Sequence, residues 1–508
     1  GFYWTLVVMT TLGFGDITFQ SDLGRFFSII VLLSGSIFML MLLPFMFIQF
    51  FYVPWMEAQA AARAPRQLPA TMTGHVILTG LGYVEQTLIR MLNRSRIPYV
   101  LLVSELNEAL RLHDEGYRVM LGDNDDPTTY HRARASSAAL VFASQRDTTN
   151  TNIAMTVREI SSQALIAATA STAASVDILQ LAGCNQVLQL GEMLGQALAR
   201  RVLGHDAKCH VIGEFGEMLI AEAIAYGTPL VGRTLKDIRL GDHTRVNVVG
   251  VWDRGRFTQA GPETRIEAST VLLLAGTRAM LDEYDSLFCL YSAIESHVII
   301  IGGGRVGRAT ARGLQAKGID YRIVERNSER VRYPERYTVG DAAELEVLEK
   351  AGIMKCSTVV ITTHDDDINV YLAIYCRKLR PNIQILVRAN QERNVTTMPR
   401  AGADLVMSYA TTGASSIFNL LKRGNLLVLA EGLDVFRVPV PASLVGRTLA
   451  QSQFRQTTGC NVVAIEEQGK IEVNPDANRP LNQEAQLIVV GDADSEERFF
   501  TKHLSGKR

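Results

Sequence analysis

Charged residues are almost missing from the start of this chain. Residues 1–56 carry only Asp16, Asp22 and Arg25, and residues 26–56 form an uncharged run of 31. As a helix that run would span about 46 Å, against roughly 30 Å of bilayer hydrocarbon. A membrane-crossing segment is therefore expected ahead of a helix buried in a soluble core. No basic stretch or small-residue cleavage site frames it, which argues against a removed signal peptide. Cysteine is sparse too. Cys184, Cys209, Cys289, Cys356, Cys376 and Cys460 show no paired spacing. That excludes a disulfide framework or a zinc site and leaves buried, reduced thiols in a cytosolic portion. Neither sign of charge is in excess, with 51 Lys and Arg against 52 Asp and Glu and a net charge of −1. A nucleic-acid partner requires a concentrated basic face, so none is expected. At 508 residues the chain exceeds the roughly 250–300 at which a single core stops growing, so several domains are expected.

Against these absences stands Thr10-Thr11-Leu12-Gly13-Phe14-Gly15-Asp16. Gly13 and Gly15 can take left-handed backbone angles that a Cβ resists, which lets successive carbonyls point the same way. Four such strands around one axis would form a cage of oxygens that replaces the water shell of a potassium ion. The apolar segment Gly1–Met9 can form a short helix aimed into it. The whole stretch resembles the pore of tetrameric potassium channels, whose filter usually reads Thr-Val-Gly-Tyr-Gly. Here Leu12 and Phe14 stand for Val and Tyr, and Phe14 lacks the hydroxyl that could tether a filter to its surroundings. The resemblance implies K+ on the main-chain oxygens of Thr11, Leu12, Gly13, Phe14 and Gly15. It also implies a homotetramer in membrane lipid and an outer helix ahead of Gly1, so the chain is expected to lack its N-terminal part.

From Gly24 to Tyr52 the pattern predicts a pore-lining helix with two interruptions. Gly35, between Ser34 and Ser36, is a candidate hinge. Pro44 lacks an amide proton and its ring clashes with the Leu40 carbonyl, so it is either a gating bend or a static kink. Phe26 to Leu43 covers about 27 Å as helix, which sets Pro44 near the cytoplasmic membrane face. Phe45, Phe47, Phe50, Phe51, Tyr52 and Trp55 would then supply a constriction or an interfacial belt. Pro54 to Thr73, with Pro65, Pro69, Arg63 and Arg66, reads as a linker on the cytoplasmic side.

From His75 onward the sequence is written twice, with an offset of 214–222 residues. His75-Val-Ile-Leu-Thr-Gly80-Leu-Gly82 recurs as His297-Val-Ile-Ile-Ile-Gly302-Gly-Gly304, and Gly122-Asp123 as Gly340-Asp341. The helical stretch Asn150 to Arg158 recurs as Asn369 to Arg377, Leu230–Leu235 identically as Leu444–Leu449, and Asn247–Val249 as Asn461–Val463. Each copy alternates short β-branched strands with helical segments, the order of a doubly wound parallel sheet, and ends in a smaller α+β lobe. The arrangement resembles RCK domains, cytosolic regulators of potassium conductance. The expected fold is a membrane α-helical pore segment (1–53) and a linker (54–73), followed by two α/β RCK domains. Each RCK domain has a Rossmann-like doubly wound sheet (74–204 and 294–426) and a small α+β C-lobe (205–293 and 427–508). In a tetramer the copies would make a gating ring.

Glycines after a first strand let phosphate approach the backbone at a helix N-terminus, where amides and the helix dipole favour anions. The second copy has the complete pattern Gly302-x-Gly304-x-x-Gly307, and Glu325 follows 21 residues after Gly304, placed to accept from ribose hydroxyls. Arg305 could neutralise a pyrophosphate, Arg326 tolerate further phosphate, and Asp341 suits the rim near an adenine. NAD or an adenine nucleotide (ADP or ATP) is the ligand class. The first copy keeps Gly80, Gly82, Glu105 and Asp123, but Glu85 replaces the third glycine, so a nucleotide is less favoured there. Two acidic runs, Asp123–Asp126 and His364–Asp367, lie in strand-to-helix loops. They pose Ca2+ binding, with Asp365, Asp366 and Asp367 as ligands, against the plainer reading of helix caps.

The sum is a ligand-gated potassium channel, not an enzyme, expected as a multi-pass protein of the cell inner (plasma) membrane. A nicotinamide dehydrogenase would share the glycine pattern, but His75, His297 and His364 assemble no acid–base residue beside a nicotinamide. A regulatory NAD-binding subunit of a potassium uptake transporter would share the paired domains and lack the attached filter at Thr10–Asp16.

Overall fold

The computed structural model describes residues 1–202, 208–253, 256–289, 297–421, 426–428 and 433–503. The domain boundaries expected at 204/205 and 293/294, and the end of the second C-lobe at 508, lie outside the described residues. Two compact units are formed, one of Gly1–Met72 with Val100–Arg134, the other of Thr73–Tyr99 with the chain from Ala135 onward.

In the first unit, α1 (Phe2–Met9) ends at Thr10, whose hydroxyl donates back to the Leu6 carbonyl at 2.6 Å. α2 (Asp22–Ile37) starts on the Ser21 hydroxyl, which accepts from the Gly24 amide at 3.2 Å. Asp22 in its first turn suits the positive end of the helix. Helical elements then follow end to end: a π turn at Phe38–Leu42, α3 (Leu43–Phe47), a second π turn at Ile48–Tyr52, and α4 (Val53–Arg63). Each π turn ends two residues before a proline, Pro44 or Pro54. A proline ring crowds the carbonyl four residues back, and a widened turn gives that carbonyl room. No helix among the described residues is long and apolar enough to cross a membrane.

α1 and α2 meet at Gly35, where a Cβ would lie 2.4 Å from the Met9 Cα. The candidate hinge is thus also the contact point of two helices. Trp4 secures the same corner, edge-on to Phe19 at 4.9 Å and stacked on Phe27 at 6.0 Å between ring centres.

The linker expected from Pro54 differs from that expectation in two ways. It is helical as far as Arg63, because its alanine-rich sequence favours helix. Beyond that it is docked. The Pro65 carbonyl accepts from the Leu121 amide at 2.9 Å, the Leu68 amide donates to the Arg132 carbonyl at 3.1 Å, and Arg134 Nε donates to the Met72 carbonyl at 3.1 Å. Ala64 and Leu68 are buried. The strands they approach, Tyr99–Val103 and Val119–Leu121, pair in parallel with Leu101 opposite Val119.

In the second unit the first copy contributes the parallel strands Val76–Leu78, Leu140–Ala143, Ile166–Thr169 and Gln186–Leu188, in that spatial order. The second copy's sheet is complete. Its six parallel strands run Tyr337–Val339, Asp320–Glu325, His297–Ile301, Thr358–Ile361, Gln384–Ala389 and Leu405–Ser408. Ile299, Ile300, Val359 and Val360 are all fully buried, as expected of a sheet covered on both faces. Order reverses between His297–Ile301 and Thr358–Ile361, the switch point where doubly wound sheets bind ligands. The C-lobes are antiparallel five-stranded sheets. They share one core in which Met218, Ile220 and Leu273 meet Val435, Val463 and Ile488.

Repeated residues hold repeated contacts. Asn150 bonds the carbonyls of Gln145 and Thr169, and Asn369 bonds those of Thr363 and Arg388. Arg158 donates to the Gly183 carbonyl as Arg377 donates to that of Gly402. The fingerprint helix of each copy packs on the last Rossmann helix of the other: Arg305–Ala316 on Leu190–Arg200, and Tyr83–Arg94 on Tyr409–Leu421. All six cysteines are free, and burial pushes the thiols of Cys356, Cys376 and Cys460 up to about 12.

Candidate functional site

At the end of α1, Thr11, Gly13 and Gly15 have φ of +60°, +51° and +78°. Leu12 and Phe14 between them keep negative φ. Alternating handedness is the backbone condition under which successive carbonyls can face one side. A β-branched residue at positive φ is an outlier costing about 1–3 kcal/mol, and nothing in the sequence marks Thr11 for it. Its hydroxyl donates to the Thr10 carbonyl at 2.7 Å. The Thr11 and Gly13 amides bond back to Val8 and Val7 carbonyls at 3.1 and 3.3 Å. The carbonyl end of α1, with its partial negative charge, therefore leads directly into the loop.

The second copy's switch point opens into a cavity of about 720 Å³. Gly302, Gly304, Glu325, Arg326, Asp341, Asp365 and Asp367 line it. Gly302 has φ +102°, and Gly307 lies beneath the turn, where a Cβ would be 1.9 Å from the Gly302 carbonyl oxygen. The helix Arg305–Ala316 starts at Gly304 with no side-chain cap, leaving its first amides to a ligand. Glu325 is buried. Its Oε2 accepts from the Gly303 amide at 2.7 Å and its Oε1 from the Asn327 amide at 2.9 Å, which fixes the carboxylate at the turn. Arg326 stands 4.0 Å from Asp341 across the rim. Arg330 and Tyr371, which the sequence did not single out, also line the cavity, as does His364 at the head of the acidic run. Burial first, then the Arg388 charge, lowers the His364 pKa, so a neutral imidazole faces the cavity. These residues fit a nucleotide: amides and guanidinium groups for phosphate, carboxylates for ribose hydroxyls, an exposed Tyr371 ring for a base.

Arg305 is elsewhere. It lines a larger cavity of about 1250 Å³ that also includes Gly82, Glu85, Ser144 and Asp147 of the first copy. Here the glycine turn is filled from within. Glu85 is buried and its Oε2 accepts from the Gly82 amide at 2.6 Å, the amide a phosphate would take. Burial is the main cause of its raised pKa. Gln145 reaches over Gly80 to the Thr79 carbonyl. Gly80 and Gly82 belong to one compact unit, Glu105 and Asp123 to the other. Glu105 directly precedes the helix Leu106–Asp114.

Both acidic runs supply helix caps. Asp365 caps the helix Asp366–Leu379, accepting from the Asp367 and Ile368 amides at 2.8 and 3.2 Å. Asp366 is buried and turned to the opposite side, where it takes four donors from Asn390, Gln391 and Asn394 at 2.7–3.0 Å. Asp126 caps its helix through the Thr128 amide at 2.8 Å. Among the described residues no three His, Cys, Asp or Glu side chains converge to hold a metal.

Comparison with known proteins follows the same divisions. The TrkA-N domain family matches residues 76–190 and 298–409, the TrkA-C domain family 219–288 and 435–503, and the ion channel family 1–52. A solved structure of the GsuK channel bound to NAD is 36% identical, covering 99% of this chain and 92% of its own, with a TM-score of 0.66. A crystal structure of GsuK bound to ADP is 30% identical over 83% of this chain and 88% of its own, at a TM-score of 0.52. Potassium channel proteins 1 and 2 of Methanocaldococcus jannaschii, the second described as probable, are 25% and 27% identical over 37% and 36% of this chain. The chain spans 61% and 59% of their lengths. A Trk system potassium uptake protein TrkA homolog of Pyrococcus horikoshii is 25% identical over 38% of this chain and 90% of its own. With a channel segment ahead of two TrkA-N and TrkA-C pairs, and 36% identity to a channel of which it spans 92%, the chain belongs to the family of potassium channels that carry tandem RCK domains.

Proposed function

We propose that this chain assembles as a homotetramer into a membrane potassium channel opened or closed by NAD or an adenine nucleotide. The observation that carries this reading is the presence, in one chain, of the alternately left-handed Thr11–Gly15 loop and the glycine-turn cavity of the second copy. The main-chain oxygens of Thr11, Leu12, Gly13, Phe14 and Gly15 replace potassium's water shell. The consecutive helical elements from Asp22 to Tyr52 act together as the inner helix, with Gly35 and Pro44 as its bending points. The RCK domains lie in the cytoplasm of a cell inner membrane. Potassium flows passively and no bond is made or broken.

In the second copy, phosphates sit on the helix start at Gly302 and Gly304, Arg326 and Arg330 balance their charge, and Glu325 takes the ribose. Asp341 and Tyr371 border the base. The GsuK channel has been solved with NAD and with ADP, which supports this ligand class. Moving a channel from 1:99 to 99:1 takes about 5.5 kcal/mol of differential affinity, under about 1 kcal/mol for each RCK copy of a tetramer. Residues 65–72, bonded to Leu121, Arg132 and Arg134, convey movement of the first copy to the inner helix.

Planar-bilayer recording of the purified protein, with NAD, ADP and Ca2+ added separately to the cytosolic side, tests the reading. A potassium-selective current whose open fraction shifts with nucleotide is expected. Potassium current indifferent to both nucleotides removes the ligand assignment, and absence of selective current removes the channel. The second reading, a regulatory subunit of an uptake transporter, draws on the Trk relatives. The ion channel match over residues 1–52 weighs against it. Potassium flux from the chain alone in liposomes separates the two.

A further inference from the structure

We propose that the larger cavity, between the two Rossmann-like lobes, is a separate binding site for a compact oligophosphate anion held by Arg308, Arg312 and Arg332. Its wall carries five arginines against three carboxylates, an excess of two positive charges. Each carboxylate is already committed. Glu85 accepts from the Gly82 amide, Asp147 from the Ser171 amide and hydroxyl at 3.0 and 2.6 Å, and Glu192 from Gln196 at 2.9 Å and from Arg312.

Among the described residues, Arg305, Arg308 and Arg332 enter no ion pair. Arg308 only donates to the Gly303 carbonyl, at 2.6 Å. Burial and then the charges of Arg332 and other arginines lower its pKa, the sign of cations gathered without a counter-charge. An adjoining cavity of about 670 Å³ shares Arg308, Arg312 and Arg332, so the same guanidinium groups are open from two sides. Planar guanidinium groups bind phosphate oxygens two at a time, and several converging on one space select an anion with several such oxygens.

This site is distinct from the nucleotide cavity, which contains none of these three arginines. Arg305, Arg308 and Arg312, at i, i+3 and i+7, form one face of the helix whose N-terminus serves the nucleotide turn. One helix thus presents its end to one ligand and its flank to another.

The test is calorimetric titration of the complete protein with pyrophosphate at low salt, repeated with NAD present. Saturable binding is expected. It should weaken at least tenfold in R308Q/R332Q and more than twofold in the exposed single variant R332Q, while R400Q, exposed and outside all three cavities, leaves it unchanged. Thermal melts of each variant establish that it is folded. The anion could be free or a lipid headgroup, so the same variants are tested against vesicles carrying a bisphosphorylated inositol lipid. Arginine-dependent capture there with pyrophosphate competing also supports the site. No saturation, equal affinity in the folded double variant, or competitive displacement by NAD overturns the proposal.

Discussion

The Glu85 carboxylate accepts a hydrogen bond from the Gly82 amide at 2.6 Å, within the turn where the second copy has Gly307 instead. The same fold position therefore carries an internal anion in one copy and open amides in the other. A carboxylate at this helix start satisfies a donor and suits the dipole, which is why a duplicated domain can lose a ligand and keep its structure.

Replacing Glu85 with Gly should free the first copy's turn. The loss of a buried cap is expected to cost about 1 kcal/mol of stability. Calorimetry with NAD should then show unchanged second-copy binding with a new, weaker event, and an unaltered titration would mean that the turn is closed for another reason.

Gly307→Ala should abolish nucleotide binding, because the Cβ would meet the Gly302 carbonyl at 1.9 Å and force the turn apart. Potassium conductance without nucleotide should remain, since Thr11–Gly15 is untouched. Nucleotide affinity within twofold of the parent protein is the contrary result.

Arg201 and Glu222 form a buried pair, each side chain 8% exposed, with Arg201 Nε donating to Glu222 Oε2 at 3.0 Å. Gln384 also bonds the Arg201 carbonyl at 2.9 Å, tying both Rossmann-like lobes to the first C-lobe. Glu222→Ala breaks this buried ion pair and should destabilise by about 3–5 kcal/mol, measured by urea unfolding of the RCK portion within the whole protein.

Asp434 predicts a pH dependence. Burial, then the Glu496 charge, raises its carboxyl to about 7, although Arg94 lies 3.6 Å away and opposes the shift. An unfolded aspartate has a pKa of about 3.9. Between these values the folded chain keeps a proton that the unfolded chain has released. This group's contribution is therefore full below the unfolded value and is lost as pH rises through about 7. Asp434→Asn should flatten the fall in urea midpoint between about pH 4 and about pH 7.

Leu68, buried with its amide on the Arg132 carbonyl, joins the chain after α4 to the first copy. Leu68→Asp should uncouple nucleotide binding from opening. Affinity should stay within twofold while the open probability no longer responds, and bilayer recording beside calorimetry reads both.

Much is legible in the sequence alone. The Gly302-x-Gly304-x-x-Gly307 spacing located the cavity, and the repeated Asn150/Asn369 and Arg158/Arg377 marked pairs that hold corresponding carbonyls, Thr169 with Arg388 and Gly183 with Gly402. Arg305 shows where spacing stops informing. It is adjacent to Gly304 in sequence, yet the helix turns its side chain onto the other cavity's wall. His364, Asp365 and Asp366 are consecutive, but Asp366 faces the Asn390–Asn394 loop, so a cluster in sequence is no cluster of ligands.

By itself the sequence determined the apolar pore segment, the glycine-bearing loop, the duplication and the alternation of strand and helix. Each of these follows from local backbone freedom and hydrophobic period. Only tertiary structure decided that Thr11 joins the left-handed residues, that Gly35 lies against Met9, that Glu85 fills its own turn and that residues 65–72 are docked. Those outcomes depend on which groups remote in sequence come within contact distance, and that is fixed by packing rather than by any residue's neighbours along the chain.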